Sequence, residues 1–103
     1  MKRILFVCHG NICRSVMAEY IMKYLTNNSS DYLIDSAATS YEEIGNDIYY
    51  EAKNTLDRHF IPYSRHYARH IKKEDIKNFD FTVPDMSGTS SPSPSGIWHP
   101  HLP

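Results

Sequence analysis

Apolar and polar residues follow one another along this chain in more than one rhythm. After Lys2 and Arg3 come four consecutive apolar residues, Ile4 to Val7, a run that suits a strand buried on both faces. Cys8 to Ser15 is polar, contains Gly10 and reads as a loop. From Ser15 onward, Val16, Met17, Tyr20, Ile21, Tyr24 and Leu25 fall at helical spacing and form one apolar stripe. Asn27, Asn28, Ser29 and Ser30 end that helix. Tyr32 to Ile34 is a second short apolar run, leading into Asp35-Ser36-Ala37-Ala38-Thr39-Ser40. Strand, loop, helix and strand within forty residues make a β-α-β unit, which predicts parallel strands and a right-handed crossover.

Ile48, Ala52, Leu56 and Phe60 are spaced by four and predict a second helix, broken by Pro62. Lys72 to Phe79 carries a third helical pattern of mixed charge, and Phe79 to Val83 opens a third strand. The fold class is therefore α/β, a parallel sheet with flanking helices. From Pro84 to Pro103 the periodicity vanishes, and five prolines, five serines and two glycines accumulate. Such a segment buries too little surface to offset its ordering entropy. The chain divides into a domain over residues 1–83 and a Pro/Ser-rich tail over 84–103 that is expected to be disordered.

With 103 residues there is room for one small domain, which buries roughly 60–70% of the surface its unfolded chain exposes. Eleven basic and twelve acidic residues give a net charge of −1, which argues against nucleic acid or an anionic membrane as partner. No apolar run approaches the ~18 residues of a membrane span. The run behind Lys2 and Arg3 is too short for a signal peptide, and His9, Asn11 and Arg14 follow at once. The expected compartment is the cytoplasm. Two cysteines five positions apart do not form a secreted disulfide framework.

The string Cys8-His9-Gly10-Asn11-Ile12-Cys13-Arg14-Ser15 lies between the first strand and the first helix. Backbone N–H groups of such a loop can form an anion-binding nest, reinforced by the helix N-terminus. Gly10 and Asn11 are the residues best able to take positive φ. Arg14 offers a planar fork to two phosphate oxygens. Cys8 sits at the strand end, where the field that binds phosphate also favours its thiolate. Ser15 can donate a hydrogen bond to that thiolate. Together these groups suit nucleophilic attack on a phosphorus atom held in the nest. Taken singly they are less specific. Cys8 and Cys13 could be core thiols; Cys8, His9 and Cys13 lack a second ligand pair at zinc-type spacing, so no metal is expected. The Lys72 to Lys77 run reads as a solvated helix face, and Tyr49, Tyr50, Tyr63 and Tyr67 are candidates for a cleft wall.

The complete string, directly after a buried strand and close to the N-terminus, resembles the signature of the low-molecular-weight protein tyrosine phosphatases. Asp35-Ser36-Ala37-Ala38-Thr39, Glu42-Glu43-Ile44-Gly45-Asn46 and Arg65-His66-Tyr67-Ala68-Arg69 resemble later pieces of that family. The resemblance implies the family's three-layer fold and phosphomonoester hydrolysis through a phosphocysteine. Cys8 would be the nucleophile and Arg14 would bind phosphate and stabilise the transition state. His9, Gly10, Asn11, Ile12, Cys13 and Ser15 would complete the phosphate loop. Asn11, Ser15 and Ser36 would hold the loop and thiolate, with His66 hydrogen-bonded near Asn11. Glu42 and Glu43 would stand on the cleft wall. Cys13 would pair reversibly with Cys8 and protect it from further oxidation. The substrate would be a phosphotyrosine protein or small aryl phosphate, with no cofactor.

The resemblance covers the front half of the family. The Asp-Pro loop that carries its general acid has no counterpart, since the sequence holds no Asp-Pro dipeptide. The abrupt change after Val83 fits a truncation or reading-frame change, with one sheet face and edge left bare and activity reduced or lost. Loss of a general acid costs ~10²- to 10⁴-fold. Two other readings are a non-catalytic anion-binding remnant and an arsenate reductase of the same fold. The latter relays a disulfide to later cysteines, and none follows Cys13.

Overall fold

The computed structural model describes residues 1–84 and, beyond them, the backbone of Ser91–Pro92 and Trp98–His99. The central strand is β1 (Lys2–Cys8), paired in parallel with β2 (Tyr32–Ala38) on one side and β3 (Phe81–Pro84) on the other. The sheet order is β2-β1-β3, so the α/β reading with parallel strands stands. The helices are α1 (Arg14–Leu25), α2 (Tyr50–Arg58) and α3 (Lys73–Asn78). Ser91–Pro92 and Trp98–His99 pair with each other in antiparallel fashion. The expectation of a disordered tail otherwise falls outside the described residues.

A central position explains why β1 needs apolar residues in succession. On one face Leu5 and Val7 pack with Ala37 of β2 and Ile71, with Phe79 against them. On the other face Phe6 lies in register with Ser36 and Val83, and Ser36 bonds to Glu19 of α1. The outer side of α1 then packs on α2, where Val16, Ile48, Ala52 and Leu56 are buried together. Each large apolar side chain buried there contributes roughly 1.5–3 kcal/mol.

Two details of the apolar pattern resolve differently from expectation. The stripe on α1 is buried only at its start: Ile21, Tyr24 and Leu25 are exposed, while Ser15 and Glu19 are buried. A hydrogen bond from the Ser36 hydroxyl on β2 to Glu19 helps fasten that part of α1 to the sheet. Phe60 does not continue the stripe of α2 and is 87% exposed. The helix closes before it, with Phe60 N–H donating to Asp57 O and Ile61 N–H to Leu56 O. These two bonds form a Schellman motif, and Phe60 occupies its left-handed position at φ +56°. That conformation costs a side-chain-bearing residue ~1–2 kcal/mol. Phe81 and Val83 on β3 are also exposed. Among the described residues no helix is long and apolar enough to cross a membrane.

Candidate active site

The loop between β1 and α1 begins where the last residue of β1, Cys8, meets Ala38 across the sheet. Its carbonyl accepts from Thr39 N–H at 2.9 Å, and the carbonyl of His9 accepts from Ser40 N–H at 3.1 Å. The loop's first turn is thereby tied to the end of β2. Met17 N–H is bonded to Cys13 O at 2.9 Å, so the N–H groups of the preceding α1 residues have no acceptor within the helix and face the loop. The positive end of the helix dipole lies there as well.

Asn11 organises the loop from inside. It is fully buried and has φ +60°. Its backbone N–H donates to Cys8 Sγ at 3.3 Å, and its Nδ2 donates to Ser15 Oγ at 2.9 Å. Ser15 Oγ is in turn 3.0 Å from Cys8 Sγ. With its lone pair engaged by Asn11, the Ser15 hydroxyl can direct its proton at a Cys8 thiolate. Two donors then converge on the sulfur, a stronger arrangement when the acceptor is charged. His66, also buried, donates from Nε2 to the Asn11 carbonyl at 2.7 Å. Arg69 N–H donates to Asn11 Oδ1 at 3.1 Å. Every polar group of Asn11 is thus engaged.

The structure brings Cys8, Asn11, Ser15 and His66 together. Gly10 differs from expectation: the positive φ belongs to Asn11, and Gly10 is not among the left-handed glycines. Its smallness serves spacing instead, since a Cβ there would stand 3.3 Å from Glu43 Cγ. Glu42 bonds to the exposed His9 ring at 3.1 Å, so both glutamates lie beside the loop. Ile12 is linked to Tyr49, whose N–H donates to the Ile12 carbonyl at 2.8 Å. Tyr63 packs with the α1–α2 cluster instead, and Tyr67 is covered by the Arg65 guanidinium. Arg14 and Ser15 border an apolar cavity of about 180 Å³ lined also by Phe6, Val7, Ala18, Val83 and Pro84. Cys8 and Cys13 are not joined by a disulfide. Among the described residues no cluster of three or more His, Cys, Asp or Glu is placed to hold a metal.

Several supporting residues were not singled out by sequence reasoning. Glu19 is buried, accepts from the Ser36 hydroxyl at 2.5 Å and pairs with Lys23 at 2.6 Å; the i,i+4 spacing to Lys23 was its one visible signal. Asp47 accepts from His66 N–H at 3.0 Å and pairs with Lys53 and Arg65. Burial alone would raise its carboxyl, but Lys53 and the His66 and Ile48 N–H groups outweigh that and hold it well below the usual carboxylate range. Asp75 belongs to the charged run read as a solvated face, yet it is buried and binds Arg69.

Residues 3–89 match the family model of the low molecular weight phosphotyrosine protein phosphatases. The chain belongs to this family. The human low molecular weight phosphotyrosine protein phosphatase is 49% identical over 85 residues, which cover 80% of this chain and 53% of that protein. The crystal structure of SP-PTP, the low molecular weight protein tyrosine phosphatase of Streptococcus pyogenes, is similar with a TM-score of 0.79 and 40% identity, over 84% of this chain and 58% of that one. YfkJ from Bacillus subtilis gives a TM-score of 0.80 at 34% identity, over 84% of this chain and 57% of that one. The chain spans about half the length of the curated relatives of the phosphatase family that it matches.

Proposed function

We propose that this chain carries the nucleophile and phosphate cradle of a protein tyrosine phosphatase and cleaves aryl phosphate monoesters. The observation that carries this reading is the placing of Cys8 Sγ at the mouth of α1, 3.3 Å from the Asn11 N–H and 3.0 Å from Ser15 Oγ, where the thiol donates to Ser15 and a thiolate would accept from both. The phosphate would sit among the backbone N–H groups of His9 to Ser15, with Arg14 across its oxygens. The Cys8 thiolate donates an electron pair to phosphorus and the P–O bond to the aryl group breaks. That pair leaves on the phenol oxygen, which then takes a proton. Water next attacks the phosphocysteine, the P–S bond breaks and the thiolate returns with release of inorganic phosphate.

Glu42 and Glu43 place negative charge at the rim and thereby bias which phosphoproteins or small aryl phosphates approach. Ser36 acts at one remove, through Glu19 on α1. A cytoplasmic setting, where thiols stay reduced, matches a reactive Cys8, and no cofactor or nucleic acid enters the scheme.

The test is hydrolysis of para-nitrophenyl phosphate by the purified chain beside Cys8→Ser, with circular dichroism showing both folded. Turnover that disappears in Cys8→Ser supports the reading. A folded chain that binds inorganic phosphate without turnover replaces it with an anion-binding role.

A further inference from the structure

We propose that Arg69 is a positioning residue for Cys8: its guanidinium, clamped between two carboxylates, fixes its own backbone N–H on Asn11 and so sets the direction of the hydrogen bonds that end on the sulfur. The inference rests on the reading of Cys8 as nucleophile.

The clamp draws on two elements. Arg69 Nη2 lies 3.1 Å from Asp35 Oδ2 on β2, and its Nη1 and Nη2 lie 2.9 and 3.2 Å from the two oxygens of Asp75 on α3. Asp75 Oδ2 also accepts from Lys72 N–H at 2.7 Å. The Arg69 carbonyl accepts from Ala38 N–H at 2.7 Å. Between these fixed points stands the Arg69 N–H, which bonds to Asn11 Oδ1 at 3.1 Å.

A backbone N–H can only donate, so it selects the amide orientation of Asn11. With Oδ1 facing Arg69, Nδ2 must face Ser15, where it donates to Oγ at 2.9 Å. Ser15 then accepts from Asn11, and once Cys8 has lost its own proton the Ser15 proton is left for the thiolate, whose Sγ lies 3.0 Å away. If the amide turned over, Oδ1 would face Ser15 and draw its proton away from the sulfur. The thiolate would keep the Asn11 N–H at 3.3 Å and lose the stronger donor. A fork held by two acids from separate elements therefore decides, through three hydrogen bonds, whether the nucleophile has one donor or two.

The experiment is alkylation of the full chain by iodoacetamide across pH, read at Cys8 by mass spectrometry, which needs no phosphate turnover. Wild type is compared with Arg69→Ala, Arg69→Lys, Asp35→Asn and Leu56→Ala. Loss of one hydrogen bond to a charged acceptor slows Cys8 alkylation near pH 6 by about tenfold in Arg69→Ala and moves its pH curve to the alkaline side. Asp35→Asn moves the curve less, and Arg69→Lys restores most of the wild-type curve. Leu56→Ala, in the α1–α2 cluster, lowers the melting temperature and leaves the curve in place. Curves for Arg69→Ala and Asp35→Asn that superimpose on wild type overturn the inference, as does an equal shift in Leu56→Ala. Should Arg69→Ala not fold, Asp35→Asn decides by the same criterion. A wild-type Cys8 no more reactive than an ordinary thiol overturns the nucleophile reading and this inference together.

Discussion

His66 Nε2 stands 2.7 Å from the backbone carbonyl of Asn11, a residue fifty-five positions earlier in the chain. A carbonyl oxygen can only accept, so this ring nitrogen carries a hydrogen whether the imidazole is neutral or charged. Replacing His66 by Ala leaves a buried carbonyl without its partner, which costs about 1–3 kcal/mol. His66→Ala is expected to melt several degrees lower and to hydrolyse para-nitrophenyl phosphate at least tenfold more slowly. Differential scanning calorimetry and steady-state rates on the same preparation check both; an unchanged rate would mean that the loop holds its shape without His66.

At the rim, the His9–Glu42 pair is exposed, and pairs of this kind contribute little to stability. Its effect is expected on substrate approach. Glu42→Gln combined with Glu43→Gln should lower KM for a phosphate dianion severalfold, leave kcat nearly unchanged and shift the melting temperature by little. The gain should shrink as salt screens the rim charges. Kinetics at low and high ionic strength separate this from a change in the loop itself.

Acid should loosen the site in a defined direction. Burial raises the Asp75 carboxyl, but Arg69 and the Lys72 N–H outweigh it and hold it below its ordinary value; Asp47 is held down in the same manner, and the bonds from Arg3 do so for Asp80. A carboxylate lowered on folding contributes stability that is full above its unfolded value, about 3.9, and is lost as pH falls through the folded one. Melting temperature is therefore expected to hold above pH 5 and to fall steadily below about pH 4. In Asp75→Asn that slope should be shallower and the neutral-pH melting temperature lower. A wild-type melting temperature flat down to pH 2 would contradict the assignment.

Phe81 and Val83 present apolar side chains on β3, and Ile21 and Leu25 do so on α1. Exposed apolar residues on an edge strand promote association. Phe81→Lys is expected to reduce concentration-dependent self-association in light scattering, with little change in the unfolding transition. If association is equally strong in Phe81→Lys, its source lies elsewhere on the surface.

The sheet and its parallel order were legible because Ile4 to Val7 admits few alternatives to a buried strand, and the loop because eight specific residues fall between that strand and a helix. The helical stripe of α1 misled at Ile21, Tyr24 and Leu25, since periodicity reports which residues are apolar and not whether anything covers them. Glu19, Asp47, Arg69 and Asp75 were illegible for a different reason. Each is a charged residue of the kind expected in solvent, and the tertiary fold brings distant partners to three of them: Ser36 lies seventeen positions from Glu19, His66 nineteen from Asp47 and Asp35 thirty-four from Arg69. Ser36 was named for the loop, yet its hydroxyl donates to Glu19 on the helix behind it.

The grip on Asn11 by residues 66 and 69 also fixes an order of assembly. Cys8 leaves a ribosome before the groups that orient its loop, which are made some sixty positions later, and contacts this distant in sequence form slowly. For the length of that interval the chain carries a thiol with no finished cradle around it, no more aggressive than any other cysteine. On the proposed reading the thiol gains its reactivity only with folding, when the segment from His66 to Arg69 packs against the loop.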